Sequence, residues 1–96
     1  MTDEQMLASM KTDLGISVPA YDDRLRELIG AAKAAIQREG AANLSPSDSA
    51  EDAQLVIMYA GYLWRMRADP TAAMPRMLRW ALNNRIFGEK MHVTEG

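Results

Sequence analysis

An all-α fold is what this sequence predicts: a single small domain of four helices with a central apolar third helix. Three observations carry the expectation. Apolar residues recur at steps of three and four in four separate stretches. Residues that start and stop helices stand at the ends of those stretches. No strand pattern competes, because GISV at 15–18 is the only short β-branched stretch and it is brief. Ninety-six residues amount to one domain, and a chain this short buries only about two-thirds of its unfolded surface, so assembly would add stability.

The first helix is expected from about Thr2 to Asp13. Thr2 with Gln5 forms a capping-box pattern, Asp3 and Glu4 favour the positive helix end, and Gly15 is a natural stop. Met6, Leu7, Met10 and Leu14 share one stripe. Pro19 disfavours helix at Val18, and the second helix follows from about Ala20 to Glu39. Its inward residues are Tyr21, Leu25, Leu28, Ile29, Ala32, Ala35 and Ile36, with Asp22 and Arg26 as an outward i,i+4 pair and Gly40 at the stop.

The segment AANLSPSDS is loop-like, and any of Ser45, Ser47, Asp48 or Ser49 can cap the third helix. That helix holds the apolar run LVIMYAGYLWRM and ends at Asp69-Pro70. The run is ten residues long before Arg65, from Leu55 to Trp64, whereas a bilayer core needs about twenty, so it is not a membrane span. A helix apolar nearly all round belongs at the centre of a bundle. Leu55, Met58 and Tyr62 are its expected core residues, and Ala60 and Gly61 would let a neighbouring helix approach closely.

The fourth helix is expected over about Pro75 to Phe87, with Met77, Leu78, Ala81, Leu82 and Ile86 inward. Trp80, Asn84 and Phe87 fall on a different side. Gly88 should stop it. The predicted organisation is a helical domain over 1–87 and a polar, flexible tail over 88–96.

Chemistry-bearing patterns are scarce. With no cysteine there is no disulfide, thiol nucleophile or thiolate metal site. The single histidine, His92, has Glu89 and Glu95 nearby, which reads as a solvated tail rather than a metal site. The serines of the loop read as caps, because no local histidine could serve as their base. No catalytic, cofactor-binding or metal-binding residue is therefore expected, and the chain does not read as an enzyme.

Charge is more informative. Residues 1–52 carry ten acids and five bases, a net of −5, and residues 53–96 carry six bases and three acids, a net of +3. Such a split suits helix faces, and it also suits protomers meeting head to tail. Arg65, Arg67, Arg76, Arg79 and Arg85 form a basic set, although the sequence pI near 5.3 argues against sequence-specific nucleic-acid binding. Met66, Met74 and Met91 suit either packing or an adaptable protein contact.

Two stretches together resemble a known family. MLASMKTDLGIS leading into YDDRLRELIGAAKAAIQREG gives a short helix, a Leu-Gly-Ile turn and an Asp-Asp helix start. LVIMYAGYLWRMRADP followed by PRMLRWALNNR gives an aromatic-rich helix, an Asp-Pro break and a last amphipathic helix. In this order, over residues 5–87, they resemble the head–tail connector (adaptor) proteins of tailed bacteriophages; the polar linker AANLSPSDSAED is longer than that pattern.

The resemblance implies a virion structural protein that forms a ring of about a dozen copies, a closed heterologous assembly. That ring would dock below the portal protein, extend the DNA channel and receive a head–tail stopper or tail-completion protein. It implies residence at the head–tail interface, with host cytoplasm as the site of assembly. Arg76, Arg79, Trp80, Asn84 and Phe87 are the expected interface residues, since aromatics and arginine dominate interface energetics. Non-specific contact with channel DNA is compatible with the basic set. Two other readings fit the residues: a small helical adaptor or regulator that binds one partner helix, and a weak nucleic-acid-binding module.

Overall fold

Four α-helices follow in the predicted order: α1 (Asp3–Leu14), α2 (Asp22–Glu39), α3 (Ala50–Ala68) and α4 (Arg76–Glu95), with one turn of 3-10 helix over Pro19–Tyr21. The computed structural model describes the backbone of residues 1–95 and the side chains of residues 1–91. No strand occurs among the described residues.

α1 begins with the reciprocal capping box: the Gln5 N–H donates to Thr2 Oγ1 at 3.1 Å and the Thr2 N–H donates to Gln5 Oε1 at 2.8 Å. It ends at Gly15, whose φ of 70° is the left-handed conformation that glycine adopts without steric cost. α2 starts two residues later than its periodicity suggests, because Pro19 opens a 3-10 turn instead of a full helix. Tyr21 consequently leaves the inward stripe and lies 41% exposed, with its ring edge-on to Trp64 at 5.4 Å.

The expected Asp22–Arg26 pair does not form. Asp22 instead meets Lys11 of α1 at 2.8 Å, while Arg26 reaches Asp23 and, across to α1, Glu4, both at 2.9 Å. Both tertiary partners tie α2 to α1, and the short-range pairing of a helix in isolation gives way to them.

α3 touches all three other helices, as its continuous apolarity requires. Ser49 supplies its cap, accepting from the Asp52 N–H at 3.2 Å. Ala53, Leu55, Val56, Ile57 and Ala60 are buried in the core with Met6 and Met10 of α1, Leu25, Leu28, Ile29 and Ile36 of α2, and Leu78 and Leu82 of α4. Three expected core residues, Met58, Tyr62 and Ile86, are only half-buried at its margin. Met58 borders an open groove between α3 and α4. The 41–49 loop contributes to the core through the buried Ala41 and Leu44.

Gly61 is buried, yet a Cβ placed there would meet nothing within 4 Å. Close helix approach is therefore not its reason; it borders a cleft of about 170 Å³ with Met10, Leu14 and Leu78. Gly61→Ala accordingly gains helix propensity without a clash and is expected to raise unfolding stability by roughly 0.5–1 kcal/mol, measured by denaturant titration.

α4 departs most from expectation. Gly88 does not stop it, and the helix continues through Glu95. A glycine inside a helix costs only about 1 kcal/mol relative to alanine. The next residue, Glu89, is buried and held by Asn43 and Arg85, which carries the helix past that weak point. The expected flexibility of the tail concerns residues of which 92–96 lie outside the described side chains. Met77, expected inward, is 69% exposed.

Candidate functional site

α4 carries two unlike faces. Leu78 and Leu82 are buried against the bundle, and the same side bears Arg85 and Glu89. Arg85 Nε donates to Asp52 Oδ1 at 2.7 Å, and its Nη2 donates to Oδ2 at 3.4 Å. Asp52 is 5% exposed and also accepts the Ser45 N–H at 2.9 Å. Arg85 reaches Glu89 one turn further on, and Glu89 accepts from both the backbone and the side-chain amide of Asn43. One arginine thus joins the start of α3, the 41–49 loop and the second half of α4.

This network holds Arg85 more firmly protonated than usual, first through its hydrogen bond to Asp52. The Asn43 N–H is the main reason that Glu89 titrates below the ordinary value of 4.5, with Arg85 adding to it. Folding therefore weakens proton binding at Glu89. Its contribution is fully present above about pH 4.5, the unfolded value, and is lost as pH falls through the lower folded value. Thermal unfolding of wild type and Glu89→Gln, followed from about pH 7 down to about pH 3, is expected to converge in acid and to separate above the carboxylate range.

The opposite side of α4 is apolar and open. Met77 is 69% exposed, Trp80 65%, Phe87 64% and Met91 49%, and Asn84 lies exposed among them. Trp80 and Asn84 also reach the rim of a groove of about 650 Å³ whose other wall is formed by Glu51, Gln54, Leu55 and Met58 of α3. Sequence periodicity had already set Trp80, Asn84 and Phe87 apart from the inward stripe. It missed Met77 and Met91 as members of the same surface, because an apolar residue on a two-faced helix fits either stripe.

The basic set is dispersed by use. Arg79 reaches Glu39 of α2 at 3.4 Å, and Arg85 is held by Asp52. Arg67 lies over the Trp64 ring at 4.4 Å and the Tyr21 ring at 5.8 Å. Arg76 and Arg65 are exposed and carry no ion pair among the described residues. The charge split is thus satisfied in part inside the protomer: the acidic first half and the basic second half already meet at Glu39–Arg79 and Asp52–Arg85. Asp52, read from its position as a helix-start acid, is also the partner of an arginine 33 residues away. The side chains of His92 and Glu95 lie outside the described residues. Among those described, no group of three or more histidine, aspartate or glutamate side chains could hold a metal, and no helix is long and apolar enough to cross a membrane.

Fold and surface together define an all-α protein of four helices with an open aromatic face on its last helix. No protein-family model matches the chain, and no curated protein or solved structure is significantly similar to it.

Proposed function

We propose that this protein is a head–tail connector of a tailed bacteriophage. In this reading its protomers form a ring beneath the portal, continue the DNA channel and offer a surface to the next stopper or tail-completion protein. The mechanism is geometric, with binding in place of a reaction. The open apolar face of α4 is the observation that carries the reading, because a soluble domain that exposes Trp80 and Phe87 together invites a protein partner. The helix order and the family resemblance over residues 5–87 support it. Arg76, exposed at the start of that face and without an ion pair among the described residues, suits a contact with a neighbouring protomer or the portal. Arg79 is already committed in part to Glu39 and ranks behind it.

A second reading is favoured by the groove between α3 and α4, which has the size of a ligand pocket or of a slot for one partner helix. It makes the protein a small helical adaptor with no ring. Mixing the full chain with purified portal and measuring particle mass and electron-microscopic shape separates the two. A connector gives ring-decorated portal particles, and charge reversal at Arg76 together with Arg79 weakens their formation without changing helicity. An unaltered portal profile overturns the connector reading. Retention on DNA that falls steeply with salt would favour the basic set as a nucleic-acid contact instead.

A further inference from the structure

We propose that α4 is a self-pairing helix: in the free protein two copies associate through antiparallel α4 helices, with Asn84 at the two-fold axis. Met77, Trp80, Asn84, Phe87 and Met91 stand at successive steps of three, four, three and four, which is the spacing of a coiled-coil seam. All five are exposed on α4. Read from either end, the seam runs methionine, aromatic, asparagine, aromatic, methionine. An antiparallel copy centred on Asn84 sets each Met77 level with the partner's Met91, both seven residues from the axis, and brings each Trp80, four residues from it, to within about 1.5 Å of helix rise of the partner's Phe87, three residues from it. Both aromatic layers then contain one tryptophan and one phenylalanine, so the helices keep a constant separation. A parallel pair would stack tryptophan on tryptophan and phenylalanine on phenylalanine, which gives uneven layers.

The flanks point the same way. Ala81 and Gly88 follow the two aromatic positions on one flank, and Arg76, Asn83 and Lys90 precede the other three on the opposite flank. Antiparallel pairing puts small residues against small residues and long polar ones against long polar ones. The small flank borders the groove of about 650 Å³, which leaves space for a second helix to settle close. The two Asn84 amides can hydrogen-bond one another across the axis, and a single polar layer of this kind fixes register.

The surface is large enough. Aromatic side chains each offer roughly 150–250 Å², so the four exposed apolar residues present on the order of 500 Å² per copy. Two copies bury on the order of 1,000 Å², the lower bound of a specific interface. Self-pairing covers Trp80, Asn84 and Phe87, the same surface that the connector reading assigns to docking. Dimer and docked protomer therefore exclude each other, although the dimer does not depend on that reading.

Sedimentation equilibrium of the full chain is expected to show a reversible dimer with a Kd of about 1–100 µM. Salt should strengthen it, because Arg76 of each copy lies near Lys90 of the other and screening relieves that repulsion. An acid-to-base contact between protomers would weaken instead. Trp80→Ser with Phe87→Ser, both at exposed positions, should weaken association at least ~30-fold with helicity retained.

Orientation is read from introduced thiols, since the chain has no cysteine of its own. Asn84→Cys should cross-link to itself. Met77→Cys alone should not, and a mixture of Met77→Cys with Met91→Cys should. A monomer at all concentrations, a dimer indifferent to the double serine variant, or self-cross-linking of Met77→Cys would each overturn the proposal. None of these outcomes bears on whether the protein decorates portal.

Discussion

Arg85→Met is expected to lower unfolding stability by about 2–3 kcal/mol, one of the largest effects available to a single side chain here. The substitution keeps the apolar stem against the bundle and removes only the guanidinium. What remains is the Asp52 carboxylate, 5% exposed, with the Ser45 N–H at 2.9 Å as its hydrogen-bond donor. Breaking a buried pair from one side leaves a charge without compensation, at a cost of about 3–5 kcal/mol when burial is complete. Arg85 is 23% exposed on its side chain, so water can partly replace it, and the lower figure follows. For a domain near a hundred residues this corresponds to a fall in Tm of roughly 10–20 °C, followed by circular dichroism.

The companion variant sharpens the test. Asp52→Asn combined with Arg85→Met removes both charges and should recover more than half of the loss, because the penalty comes from the orphaned carboxylate. A loss under about 1 kcal/mol in the single variant would place this pair with the solvent-screened ones at the surface. Such surface pairs include Arg24–Glu27 and Lys33–Asp3. Function follows from the same contact. Arg85 locks the second half of α4 to the start of α3, so loosening it displaces Trp80 and Phe87 without altering either. Any partner of that face should bind more weakly to Arg85→Met.

How much of this was legible beforehand depends on the range of the interaction. Local rules act within one turn of helix, and they located the Thr2–Gln5 capping box, the left-handed Gly15 and the Asp69-Pro70 stop. The apolar run of α3 foretold a helix touching all its neighbours. Four residues offered equally good caps for α3, and only the path of the loop selected Ser49. Interactions between distant positions left no local trace. Asp52 and Arg85 look like an ordinary helix-start acid and one arginine among several until the fold brings them to 2.7 Å.

Gly88 failed as a stop signal for a related reason. Its local preference of about 1 kcal/mol was outweighed by the tertiary hydrogen bonds from Asn43 to Glu89, helped by the Arg85–Glu89 pair within α4. Met77 illustrates the remaining ambiguity. α4 is apolar on two sides, so spacing alone gives two stripes and does not say which meets the core. The interface candidates were legible only where a residue broke the better-populated stripe, as Trp80, Asn84 and Phe87 do.

Gly40→Ala is expected to destabilise the protein by about 2–4 kcal/mol, and the loss has two separable causes. The first is backbone conformation. Gly40 ends α2 with φ at 137°, where an L-residue is strained by about 1–3 kcal/mol. The second is contact: a Cβ at this position would stand 2.9 Å from Cγ2 and 3.5 Å from Cγ1 of Ile86. Those atoms belong to a β-branched side chain on α4 with few rotamers to retreat into. The added methyl must therefore push α4 away from the end of α2.

A double-mutant cycle with Ile86→Ala separates the causes. Truncation removes both γ-carbons and leaves only Cβ, at 3.8 Å. Denaturant unfolding of the four proteins should show the double variant more stable than the sum of the single losses by about 1 kcal/mol, the contact part. The remainder belongs to φ and persists whatever stands at position 86. Strict additivity would assign the whole effect to the backbone and free α4 from any steric link to Gly40. With coupling present, a single glycine sets how closely α4 settles on the bundle, and hence how its outer face, with Trp80 and Phe87, is presented to a partner.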